Sequence, residues 1–147
     1  RLSNEQLAVM LGVTPEEVAA RIADYEKRGV IKGYSVILNE ELADKNAVTA
    51  FIEVKVTPKA DFGFDELART IMMYDEVDSV TLMSGSFDLA VTLSGTNYKE
   101  IALFVAKRLS SIDGVISTST HFVLKQYKEQ GFFIENEAAD ERGFVSP

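Results

Sequence analysis

The hydrophobic period of this chain changes at Ala47, and that change limits the fold more than any other feature. As far as Tyr25, apolar residues recur at helical spacing; from Ala47, "AVTAFIEVKV" (47–56) alternates. Ala50, Ile52, Val54 and Val56 fall on one face, with Thr49, Glu53 and Lys55 on the other, the pattern of a half-buried strand. Residues 64–74 return to helical spacing with Phe64, Leu67, Ala68 and Ile71. "VDSVTLM" (77–83) and "FDLAVTL" (87–93) read as two strands around Ser84-Gly85-Ser86, a tight hairpin signal. Asn97-x-x-Glu100 opens another helix with Ile101, Phe104 and Val105 facing in, and "GVISTSTHFVLKQY" (114–127) reads as the last strand. The order β-α-β-β-α-β predicts a ferredoxin-like split βαβ unit.

The helical part begins with a capping box, Ser3 to Gln6, followed by Leu7, Met10 and Leu11 and a stop at Gly12. A second box follows: Thr14 caps, Pro15 suits the first helical position and Glu17 reaches back. Val18, Ile22 and Tyr25 form an apolar stripe. Lys27 and Arg28 sit in the last turn, where cations favour the helix dipole, and Gly29 supplies the left-handed stop. Residues 30–38, "VIKGYSVIL", predict a strand or hairpin strand, and 39–46, "NEELADKN", a linker or short helical turn. The expected class is α+β: an N-terminal (winged) helix-turn-helix module over 1–38, a linker over 39–46 and a ferredoxin-like βαββαβ sandwich over 47–128. An acidic tail over 129–147 completes the chain, and Phe132, Phe133 and Ile134 predict that its start docks on the sheet or on a neighbouring subunit.

Several kinds of chemistry are excluded. The chain has no cysteine, hence no disulfide, thiolate metal site or cysteine nucleophile, which fits a cytoplasmic protein. One histidine, His121, cannot build a multi-histidine metal site within one chain. No apolar run approaches the roughly 18 residues that span a bilayer, so no membrane partner is expected. No metal, cofactor or catalytic residue is assigned, and an enzyme is not expected. The net charge of −8 argues against a generic polyanion binder. Its distribution is uneven: residues 1–33 balance five basic against five acidic side chains, whereas 129–147 carry five acids against Arg142 alone.

The two N-terminal helices, joined through Gly12-Val13 with Leu7, Ala8, Leu11, Val13, Val18 and Ile22 as the inward set, match a helix-turn-helix. The second helix of such a motif lies in the DNA major groove. Its candidate contact set is Thr14, Glu16, Glu17, Ala20, Arg21, Lys27 and Arg28, with Lys32 just beyond. Arg21 suits a guanine or a phosphate, and Lys27, Arg28 and Lys32 suit phosphates. Glu16 and Glu17 have two readings: acids in a first helical turn, where the dipole favours them, or acceptors for cytosine N4.

The run "LGVTPEEVAARIADYEKRGVIKGYSVILN" resembles the DNA-binding module of the Lrp/AsnC (leucine-responsive, feast/famine) transcription regulators. The second unit resembles their effector-binding and oligomerisation domain: "SGSFDL" supplies a G-x-x-D turn with Gly85 and Asp88, and "STSTHF" a T-x-T with Thr118 and Thr120. The resemblance covers about residues 1–128 and implies one more helix ahead of the module. It also implies dimers and higher homo-oligomers, double-stranded DNA as partner, and a small effector, usually an amino acid, at a subunit interface. The implied effector residues are Met83, Ser84, Gly85, Ser86, Asp88, Thr118 and Thr120. Asp88 would pair with the ammonium, the Gly85 amide would approach the carboxylate, and the threonines would donate hydroxyls. Two other readings remain: a siroheme-decarboxylase-like enzyme of the same architecture using His121, and an effector-sensing module without DNA binding.

Overall fold

A computed structural model describes residues 1–57 and 63–135. The chain divides into two units, Arg1–Val36 and Ile37–Pro147.

In the first unit, α1 (Asn4–Leu11) and α2 (Pro15–Lys27) are both closed by capping boxes. Thr14 Oγ1 accepts from the Glu17 amide at 3.2 Å, and Glu17 Oε2 accepts from the Thr14 amide at 3.0 Å. Gly12 stands at φ 67° and Gly29 at φ 72°, the left-handed stops that only glycine takes without strain. Ala8 and Val18 are the buried pair between the helices. Leu11, expected inside, is 61% exposed, because α1 ends at that residue and Gly12 turns the chain away. Thr14→Ala is expected to destabilise α2 by about 1 kcal/mol, measurable as faster amide exchange at Glu17.

Residues 30–38 form no strand, contrary to the sequence expectation. A strand needs a partner ladder, and here the Val30 and Ile31 amides both turn back to Tyr25 O, at 2.8 and 3.1 Å, while the Tyr34 hydroxyl donates to Glu26 at 2.8 Å.

The second unit opens with a short helix, α3 (Glu40–Ala43). Then come β1 (Val48–Val56), α4 (Asp65–Met72), β2 (Val77–Leu82), β3 (Leu89–Gly95), α5 (Tyr98–Phe104) and β4 (Val115–Phe122). A π-helical turn, Val105–Leu109, continues α5. Asn97 caps α5 by accepting from the Glu100 amide at 2.8 Å. The Thr96 hydroxyl and amide in turn hold the Glu100 carboxyl below its ordinary range.

The sheet order β2-β3-β1-β4, all antiparallel, is that of the split βαβ unit. One face is the core: Ala50, Ile52, Val54 and Val56 of β1 meet Leu89, Val91 and Leu93 of β3, covered by Ile71, Ile101, Phe104, Val105 and Leu109. The other face carries Phe51, Glu53, Ser119 and His121. The last strand stops at Phe122, five residues short of the expected end. Past it, β5 (Lys128–Glu129) and β6 (Phe132–Phe133) pair as a small hairpin through Gln130 and Gly131, both at positive φ. Asn39 Nδ2 donates to Ile134 O at 3.0 Å, which ties down the end of that hairpin. Phe132 and Phe133 remain more than half exposed rather than packed on the sheet. Most of the acidic tail lies outside the described residues.

Candidate functional site

Two surfaces carry the candidate residues, one in each unit. On α2, the box that starts the helix occupies Thr14 and Glu17, so both have a structural role at once. Glu16 stands exposed in the same first turn. Arg28 pairs with Asp24 one turn back, at 2.8 Å. Among the described residues, Arg21, Lys27 and Lys32 make no ion pair. Ala20, Arg21 and Lys27 are exposed, while Val18 turns to α1. Besides Ala20 the helix thus presents two cations, Arg21 and Lys27, with no ion pair among the described residues, alongside the acids Glu16 and Glu17 of its first turn and Asp24 and Glu26 further along.

The second surface is the loop between β2 and β3. It is wider than the tight turn expected from Ser84-Gly85-Ser86: it spans Met83 to Asp88 and is closed by the Met83 amide donating to Asp88 O at 2.8 Å. Gly85 stands at φ 147°, a backbone that L side chains rarely adopt, with nothing within 4 Å of where a Cβ would sit. Met83, Ser84, Gly85 and Ser86 are exposed and Asp88 is half-buried.

Asp88 is engaged at three groups. Its amide donates to Val54 O at 3.0 Å, its carbonyl receives Met83, and its Oδ2 accepts from the Val56 amide at 2.9 Å. Sequence reasoning missed this role. The signal that could have revealed it is length: the alternation in β1 runs to Val56, two residues past the partner of Leu89, so an amide there lacks a strand opposite.

Thr118 and Thr120 share a face, as expected, but it is the core face of the sheet, because they stand opposite Val54 and Ile52. The Thr118 hydroxyl lies 3.2 Å from that of Ser110. Strand β1 separates them from the Met83–Asp88 loop, so one protomer gathers Asp88 and the loop but not the threonines. His121 lies on the opposite face, where its Nε2 meets Glu53 at 3.3 Å and Ser119 at 3.4 Å. Both neighbours use the same ring nitrogen, so this trio is not a proton relay, which needs both nitrogens. Among the described residues no cluster of three or more metal-ligating side chains occurs, and no helix is long and apolar enough to cross a membrane.

A two-helix unit whose second helix exposes Arg21 and Lys27, followed by a split βαβ unit with an open loop at the sheet end, is the architecture of a ligand-responsive regulator. Residues 49–131 match the model of the Lrp/AsnC ligand binding domain. The chain is 45% identical over 148 residues to YugG, an HTH-type transcriptional regulator of Bacillus subtilis, covering 100% of this chain and 89% of that one. It is 29% identical to the leucine-responsive regulatory protein of Haemophilus influenzae, over 91% of this chain and 80% of the relative. Among solved structures, a transcriptional regulator of Neisseria meningitidis in complex with L-Met superposes with a TM-score of 0.69 at 26% identity, over 88% of this chain and 82% of that one. The fold is also that of E. coli AsnC, with a TM-score of 0.68 at 20% identity over 90% of this chain and 87% of the other. The chain belongs to the Lrp/AsnC family of transcription regulators.

Proposed function

We propose that this regulator binds double-stranded DNA through α2 as a homodimer or larger homo-oligomer in the cytoplasm, without enzymatic activity. In this reading residues 1–38 form the DNA-binding module, 39–46 the linker, 47–128 the effector and assembly domain, and 129–147 the tail. A small effector, an amino acid, binds around Met83–Asp88 and shifts the assembly or the arrangement of its modules.

The observation that carries the reading is the face of α2. Its caps are satisfied internally, Val18 is buried against α1, and, among the described residues, Arg21 and Lys27 make no ion pair beside the small Ala20. Arg21 then serves a base edge or a phosphate, Lys27 and Lys32 serve phosphates, and Arg28 does so by leaving Asp24. The acids Glu16 and Glu17 limit the affinity of one module, so that several modules acting together supply it. The amino-acid effector is supported by the L-Met bound to the Neisseria regulator. The threonines lie beyond β1 from the loop, which favours an effector site completed by a second subunit. The sheet face that carries Phe51 and its edge-on neighbour Phe87, at 6.0 Å, supports pairing of two sheets.

The test is binding to labelled DNA from upstream of its own gene at several salt concentrations, with and without a pool of the amino acids. The expected result is affinity that falls steeply as salt rises, with a log–log slope of about 0.9 per phosphate neutralised, and that changes with the pool. Absence of binding at low salt would overturn the DNA reading and leave the sensing module.

A further inference from the structure

The G-x-x-D loop is held in place by a side chain standing in for a strand. In an antiparallel pair, alternate residues of one strand turn their amide and carbonyl toward the same neighbour. Strand β1 pairs with β3 as far as Val54 opposite Leu89, where β3 begins. Val54 O and the Val56 amide point to the same side, and beyond Leu89 no further strand residue exists to receive Val56. On the other side, the β1–β4 register shifts between Lys55 and Val56. Val56 is 5% exposed, so water is a poor substitute partner. Asp88 answers both groups: its amide donates to Val54 O and its Oδ2 accepts from the Val56 amide, at 3.0 and 2.9 Å. Its own carbonyl closes the loop onto Met83.

We propose that Asp88 is a positioning residue, which fixes the Met83–Phe87 loop to the end of β1 through the Val56 amide, and that effector recognition at the loop does not use its charge. Recognition falls instead to the exposed backbone around Gly85, whose conformation the clamp sets and whose amides suit a carboxylate. The second half of this proposal rests on the reading of the loop as the effector site; the clamp itself does not.

The distinction is chemical. An asparagine keeps an oxygen for the Val56 amide and gives up the negative charge, whereas an alanine gives up both. Asp88→Asn and Asp88→Ala are made in the full chain. Val56 amide exchange is read by NMR, and binding of L-methionine and of an equimolar amino-acid pool by calorimetry. The expected result is that D88N keeps Val56 protection and stays within about threefold of the unsubstituted affinity. D88A is expected to lose at least tenfold in both Val56 protection and affinity.

Three results discriminate further. A D88N protein that protects Val56 but binds as poorly as D88A would overturn the proposal in favour of a carboxylate–ammonium pair. Unchanged Val56 exchange in D88A would overturn the clamp. If the unsubstituted chain binds no amino acid, the effector reading fails, and Val56 exchange in the two variants still decides the clamp.

Discussion

Leu89→Ala should lower the unfolding free energy of the second unit by about 3–4 kcal/mol, the middle of the range for a leucine removed from a rigid core. Leu89 is 0% exposed and is the first residue of β3. It stands opposite Val54 on one side and Leu82 on the other, both fixed in ladders, so the walls of the cavity cannot close by sliding. Its core neighbours Val91, Ile52 and Ile71 are also fully buried. The residue before it is Asp88, so the void would open beneath the loop that the Val56 bond holds. With a urea dependence of about 1–3 kcal/mol/M, the midpoint should move down by roughly 1–4 M. Leu124→Ala is the control: Leu124 is 87% exposed, and its replacement should stay within about 0.5 kcal/mol. A loss below about 1 kcal/mol for Leu89→Ala would mean that the site relaxes and that β3 is not pinned as described.

What could be read from the sequence was what local chemistry decides. Both helix starts in the first unit follow from side chains three residues apart, and the structure realises both capping boxes. The alternation in β1 placed Ala50, Ile52, Val54 and Val56 on the buried face because the period of a strand is two. The strand order followed from the β-α-β-β-α-β sequence, since that pattern closes one sheet with both helices over its core face.

What could not be read depended on partners distant in the chain. "VIKGYSVIL" has strand composition, but composition supplies no ladder, and its first amides are taken by Tyr25 instead. The β5–β6 hairpin turns on Gln130-Gly131, a weaker relative of the Asn-Gly signal, between strands of only two residues. The facing of Thr118 and Thr120 depended on register: their alternation was plain, but only the pairing of Thr118 with Val54 shows which face they share. Asp88 was conspicuous as a motif residue, yet its carboxylate partner, Val56, lies 32 positions away and is a backbone amide that no motif displays.

The same division of labour makes Arg21 the sharpest probe of the first unit. Arg21→Ala should leave the fold intact. The side chain is exposed, it has no ion pair among the described residues, and alanine is at least as good a helix former. If Arg21 meets a base edge or a phosphate, each copy loses about 1–3 kcal/mol of contact. A dimer reading two half-sites loses it twice, about 2–6 kcal/mol, so DNA affinity should fall by at least about thirtyfold at moderate salt. Two companions fix the interpretation. Arg28→Ala removes a side chain already shared with Asp24, so its effect should be smaller. Glu16→Gln removes a negative charge from the face without touching the Thr14–Glu17 box, so nonspecific affinity should rise. The measurement is a titration of labelled operator DNA by each variant, beside its thermal unfolding. A Tm within a degree or two together with a loss of about thirtyfold or more assigns the residue to DNA. An unchanged affinity for Arg21→Ala would mean that α2 does not lie in the groove, and that Arg21 serves only to balance the acids of its own helix.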